Sequence, residues 1–186
     1  YSGQEIGEPA VGAEGFCGDN ARTSIFDYCS MSEFTKWVNG GKYDGGQLSK
    51  EQKSLREWYA KLIHATQSPA FTRGEFYGLN HANAGNPDFG RLGDETFSGH
   101  WLYAFLRHDS QSGESCLVVA NFHPSETHRG VRIEIPDHAW KFMNRKRKAT
   151  HQFSDRLASN WSGTSTPAGL ILPDLEPCSA MILEVS

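Results

Sequence analysis

The sequence predicts a mainly β protein, an antiparallel β-sandwich preceded by one long helix. Three observations carry this. A single stretch, residues 50–67, repeats its apolar side chains at helical spacing. After Pro69 the apolar period changes to two, in short runs. Those runs are separated by Gly, Pro and Asn turns with no second long helix among them, the pattern of sheets packed face to face.

The elements follow in order. Residues 1–8 (YSGQEIGE) read as the tail of a strand running into a loop, so the chain reads as the back part of something larger. Residues 9–48 read as a loop rich in Gly, Asn, Asp and Ser, with Gly pairs at 40–41 and 45–46. So long a loop tends to be functional. Its rings (Phe16, Phe26, Tyr28, Phe34, Trp37, Tyr43) predict that it is ordered against something. Ser49 and Gln52 then form a capping box. Leu55, Trp58, Tyr59, Leu62 and Ile63 make the apolar stripe of the helix, opposite Lys50, Lys53, Arg56, Glu57 and Lys61, and Pro69 marks its stop. Burying those five side chains is worth roughly 8–15 kcal/mol gross, so the stripe needs a partner.

Beyond Pro69, Gly74–Leu79 is a short strand. His100–His108 is apolar at both alternations, with Trp101, Tyr103 and Phe105 on one side and Leu102, Ala104 and Leu106 on the other. That predicts a central strand covered on both faces. Asp109–Gly113 is a turn, and Ser115–Phe122 returns as the second arm of a hairpin. Val131, Ile133 and Ile135 alternate with Arg132 and Glu134 as a half-exposed strand. Ala149–Phe153, Leu170–Leu172 and Ser179–Val185 complete the set. The domain boundary is placed between 1–69 and 70–186.

The chain has 186 residues, enough for one ordinary domain and an appendage. A net charge of -4 gives no electrostatic footprint for nucleic acid. No apolar run has the length of a membrane span. Cys17, Cys29, Cys116 and Cys178 form no C-x-x-C pair. A Cys17–Cys29 bridge is one option; four buried free thiols is the reading preferred. The eight histidines show no ligand spacing and no calcium-loop pattern occurs, so neither a metal nor a cofactor is expected. The basic run Lys141–Lys148 reads as a solvated turn between strands, with an anionic-polymer patch as the sharper alternative. Asn160-Trp161-Ser162 fits a glycosylation sequon, and Trp161 is either a loop anchor or a sugar-stacking ring.

Two segments carry a family resemblance. Tyr1–Glu5 resembles the "Y-x-G-x-E" signature at the end of the eighth barrel strand in the α-amylase family of glycoside hydrolases. Asn20–Tyr28 (NARTSIFDY) is similar to the "N-x-R-T-P-M-x-W-D" stretch of the loop that follows, as in cyclomaltodextrinase-like and α-amylase-like bacterial enzymes. Ser24 and Ile25 stand where that stretch has Pro-Met, and Phe26-Asp27-Tyr28 replaces its aromatic-acid ending. The resemblance implies that residues 1–69 are the last strand end, loop and helix of a (β/α)8 barrel, followed by the C-terminal β-sandwich. It implies that the catalytic carboxylates lie on earlier barrel strands, since no Asp or Glu here matches their motifs. Retaining hydrolysis needs two carboxyl groups about 5 Å apart, so this chain alone is expected to be inactive. Barrel sites are built from the loops at the strand ends. The resemblance therefore assigns Arg22, Phe26, Asp27 and Tyr28 to the wall of a cleft for α-linked glucans. Arg22 paired with Glu5 or Asp19, and the rings packing the loop, is an equally weighted and compatible reading. Glu5 is read as structural. The expected partners are an α-glucan and the remainder of a catalytic barrel; an uncovered helix stripe predicts either self-association of the isolated chain or mobility of residues 1–48. A free-standing carbohydrate-binding module and an interaction protein without a sugar role are the rivals.

Overall fold

The computed structural model describes residues 3–8, 31–147, 150–157 and 159–186. The chain forms two compact units, Tyr1–Lys61 and Leu62–Ser186.

In the first unit, the expected strand tail is instead a 3-10 turn at Gln4–Ile6. Gly3 and Gly7 flank it at φ 87° and 72°, a left-handed backbone that extended chain does not use. Ile6 N–H donates to Gly3 O at 3.1 Å and closes the turn. The stretch expected to be all loop holds a helix, α1 (Ser32–Val38). Its N-cap position is Met31, which has no capping side chain. The cap comes from afar: Phe34 N–H donates to Glu8 Oε2 at 2.7 Å. Helix α2 (Lys50–Ala65) opens on the predicted box, with Gln52 N–H donating to Ser49 Oγ at 3.2 Å and Ser49 N–H to Gln52 Oε1 at 3.0 Å. Gln52 Nε2 also donates to Ile6 O at 3.1 Å and to Glu33 Oε2 at 2.5 Å, which ties α1, α2 and the turn together. The Arg56 guanidinium sits 3.9 Å over the Trp37 ring. The α2 stripe is only half covered: Leu55, Trp58, Tyr59 and Leu62 are intermediate, and Ile63 is 56% exposed.

The second unit is β-rich. Pro69 does not merely stop a helix; it begins another short one, α3 (Pro69–Thr72). The strands are β1 (Glu75–Gly78), β2 (Leu102–His108), β3 (Ser115–Asn121), β4 (Arg132–Ile133), β5 (Gln152–Asp155), β6 (Ser162–Thr164), β7 (Leu170–Ile171) and β8 (Ser179–Val185). Short helices α4 (Asn80–Asn83) and α5 (Asp137–Phe142) interrupt them. Six strands form one antiparallel sheet in the order β1-β2-β3-β8-β5-β6, and β4 pairs with β7 in a second. The register runs from Leu102↔Asn121 to His108↔Ser115 in β2/β3 and from Cys116↔Glu184 to Asn121↔Ser179 in β3/β8.

The core lies on one face of the large sheet. Leu102, Ala104, Leu106, Leu117, Val119, Phe153, Met181, Leu183 and Val185 meet Val131, Ile133, Ile135, Leu170, Leu172 and Leu175 from the small-sheet side. Trp140 and Met143, in and just after α5, close one end. Gly169, at φ 125°, admits the close approach of β7 to β4, since a Cβ there would lie 2.4 Å from Ile133 O.

A row of asparagines joins the layers. Asn80 accepts from Ala104 N–H at 2.8 Å and donates to Leu102 O at 2.7 Å, extending the β2 ladder with a side chain. Asn83 accepts from Glu134 N–H at 2.8 Å and donates to Glu134 O at 2.9 Å, and Asn86 donates to Arg132 O at 2.7 Å. Residues of a loop-like composition thus serve as strand surrogates, Asn83 and Asn86 buried and Asn80 half-buried.

Three further expectations need correction. Strand β2 is covered on one face only, because Tyr103 is 41% exposed and Phe105 is intermediate. Apolar alternation cannot distinguish rings lying against one another on a sheet surface from rings under a covering layer. The strand buried on both faces is its neighbour β3, with Cys116 and Leu117 fully shielded. The basic run does not simply join strands, since Lys141 and Phe142 complete α5. Of the thiols, Cys116 is buried but Cys178 is exposed, on a left-handed backbone at φ 50°; Cys17 and Cys29 lie outside the described residues.

Candidate functional site

The outer face of the six-stranded sheet is where this unit presents chemistry to its surroundings. Side chains alternate across a strand, so the face opposite the core carries Phe76 from β1, Tyr103, Phe105 and Arg107 from β2, and Cys116, Val118 and Ala120 from β3, of which Cys116 and Val118 are buried. Gly78 stands opposite Phe105 in the register and has no side chain to fill the gap. Phe76 takes up that space, its ring centroid 5.2 Å from that of Phe105. Tyr103 continues the row at 5.7 Å. Phe76 is 52% exposed, and Phe122, just past the end of β3, is 62% exposed. The rings are tilted by 34° and 47° against one another rather than coplanar.

At the other end the same face is polar and closed on itself. Arg107 donates to the carbonyls of Ala70, Phe71 and Gly74, satisfying the end of α3. Arg156 binds Glu114 at 2.7 Å and Glu184 at 2.5 Å. Cys116 lies beneath. Burial first, and then the Glu114 charge, push its thiol up to about 12, so it is inert as a nucleophile.

Beside the sheet, His128 is buried, and its Nε2 has no hydrogen-bond partner among the described residues. Burial, reinforced by nearby His123, holds His128 below the ordinary imidazole range. Among the described residues no group of three or more His, Cys, Asp or Glu side chains is placed to hold a metal ion. None of the described helices is long and apolar enough to cross a membrane.

Arg22, Phe26, Asp27 and Tyr28, the expected cleft residues, lie outside the described residues. Among those described, the carboxylate that holds the N-terminal segment is Glu8, through its bond to Phe34 N–H. Trp161 is a loop anchor: it is half-buried against the core and covers Gly163, where a Cβ would lie 2.5 Å from its ring. The row Tyr103–Phe105 was legible as an alternation. Its exposure was not, since that depends on what covers the face.

Comparison with known proteins agrees with this architecture. No match is found among curated proteins. Residues 98–185 match the family model described as "Alpha amylase, C-terminal all-beta domain". The match takes in every strand of the unit except β1, and with it the core shared by the two sheets. Residues 98–185 of this chain are therefore similar to the all-β C-terminal domain of the α-amylase family.

Proposed function

We propose that the chain is the C-terminal portion of a glycoside hydrolase acting on α-linked glucans of the starch, maltodextrin or cyclodextrin type. In this reading residues 70–186 are its β-sandwich and residues 1–69 the end of its catalytic barrel. Arg22, Phe26, Asp27 and Tyr28 form part of the cleft wall, with the guanidinium donating to sugar hydroxyls and the rings offering stacking faces. The sandwich buttresses the barrel. The family match over residues 98–185 carries the proposal; the motif resemblance of residues 1–28 extends it to the cleft. The open ring row of Phe76, Tyr103 and Phe105 supports a packing role, because the exposed rings supply apolar area for a protein neighbour.

A free-standing carbohydrate-binding module is the second reading. It needs coplanar rings to lie under successive sugars, and the tilts of 34° and 47° disfavour it. One pair of assays separates the two. The isolated chain is incubated with maltodextrin and cyclodextrin, and reducing-sugar release and glycan retention are measured. The proposal predicts neither hydrolysis nor tight retention. Release of sugar that disappears when a carboxylate of this chain is neutralised refutes it. Strong α-glucan retention lost in Tyr103→Ala supports the binding module instead.

A further inference from the structure

At the end of the sandwich away from Phe122, a cavity of about 480 Å³ opens between the edge strand β1, the turn after β2 and the last turn of α5. That volume lies within the range of small-ligand sites. Glu75, His108, Lys141, Phe142, Asn144 and Arg145 are among the residues that line it. The charges are unbalanced: two cations face one carboxylate. Neither Lys141 nor Arg145 has an ion-pair partner among the described residues. The nearby Asp109 is already engaged by Arg73 at 2.9 Å and by Ser112 Oγ at 2.7 Å.

The cationic wall is built rather than loose. Arg145 is half-buried and fixed by donation from Nη2 to Val185 O at 2.6 Å. Its Nε is shut off from solvent without a hydrogen-bond partner among the described residues, so it is the guanidinium's terminal nitrogens that any bound anion would meet. Asn144, at φ 54°, turns the chain so that Arg145 N–H returns to Trp140 O at 2.9 Å, while Asn144 N–H takes Lys141 O at 2.9 Å. With Met143 N–H donating to Ala139 O, the carbonyls of Ala139, Trp140 and Lys141 are thus satisfied internally. His108, buried, forms the inner wall and is oriented by its Nδ1 contact with Ser115 Oγ at 2.9 Å. The half-buried Phe142 ring lies edge-on to it at 5.8 Å and gives the cavity an apolar side.

We propose that this cavity binds a small oxyanion-bearing molecule, through Lys141 and Arg145, with the Phe142 side taking its apolar body. Phosphate and carboxylate share this chemistry, since both accept parallel charge-assisted bonds from guanidinium and ammonium donors. None of the residues lining the cavity is among the four assigned to the glucan cleft.

The test titrates the full chain with inorganic phosphate, and separately with acetate, at fixed ionic strength set with sodium chloride. Backbone amide shifts at residues 108–113 and 141–145 report binding. A saturable response to either anion is expected, and whichever binds more tightly identifies the source. Lys141→Gln, an exposed position whose loss leaves the fold intact, weakens binding roughly tenfold. Glu75→Gln removes the opposing charge and tightens binding roughly threefold. No saturable response to either anion overturns the proposal. So does an affinity that neither substitution changes, which marks an adventitious ion only.

Discussion

Asn83 is the side chain on which the two layers of the sandwich most directly depend, and replacing it tests that dependence. It is fully buried and makes four hydrogen bonds. Its Oδ1 accepts from Glu134 N–H at 2.8 Å and from Asn86 Nδ2 at 3.1 Å; its Nδ2 donates to Leu79 O at 3.0 Å and to Glu134 O at 2.9 Å. Asn83→Ala removes all four. At about 1 kcal/mol net for each bond, the expected loss is about 3–4 kcal/mol, with water at the half-exposed Glu134 backbone offsetting part of it. That is a large share of the stability of an ordinary domain. Asn83→Asp keeps the shape but turns two donor positions into a carboxylate facing two carbonyl oxygens. At neutral pH it is at least as destabilising as alanine. Burial and those carbonyls raise the pKa of the new carboxyl above its unfolded value. Its penalty therefore shrinks as pH falls from 7 toward 4, when the carboxyl takes up a proton and regains a donor. Urea denaturation of the three proteins at pH 7 and pH 5 measures this. Asn83→Ala within about 1 kcal/mol of wild type, or a pH-independent deficit in Asn83→Asp, refutes the account of the asparagine row.

Other outcomes follow from the core and from the titrating groups. Phe153 is fully buried where β5 meets the shared core, and Phe153→Ala should cost about 3–5 kcal/mol in the same assay; a loss under about 1 kcal/mol contradicts the assigned core. His128 has a folded pKa below its unfolded value, so between the two the unfolded chain holds more protons and stability falls as pH drops below about 6.5. The neighbours setting this are His123, which lowers it further, and Glu95 and Glu126, which oppose. His128→Gln should flatten the decline between pH 7 and 5, and an unchanged slope argues against a buried neutral imidazole. Peptide mapping after brief alkylation at pH 8 should find Cys178 labelled and Cys116 protected, since the first is exposed and the second is buried with its thiol pushed up to about 12. Labelling at equal rates would place Cys116 outside the sheet.

Legibility in the sequence tracked the reach of the interactions concerned. The Ser49/Gln52 box was readable because both partners lie within one turn, and the structure forms both of its bonds. Strand β8 was bounded correctly at Ser179–Val185 because its alternation and flanking turns are local. Helix α1 was not readable: its cap is Glu8, far away in sequence, and Met31 gives no local sign. Asn80, Asn83 and Asn86 look like loop residues by composition, yet they bridge strands through long-range bonds. The ring row on β2 was seen, but its covering was misjudged, because period two reports which residues share a face and not what lies above it. The cleft assignment of Arg22, Phe26, Asp27 and Tyr28 rests on motif resemblance alone, as those positions lie outside the described residues.

The central claim, that this chain is the C-terminal portion of a larger α-glucan hydrolase, meets its most direct test in the intact mass of the protein purified from its natural source. The 186 residues account for 20.7 kDa. The account predicts a native species heavier by most of a catalytic barrel, whose usual size is about 250 residues, with these residues at its C-terminal side. A native protein of 20.7 kDa that stays monomeric and protease-resistant would contradict it and make the chain a self-sufficient domain.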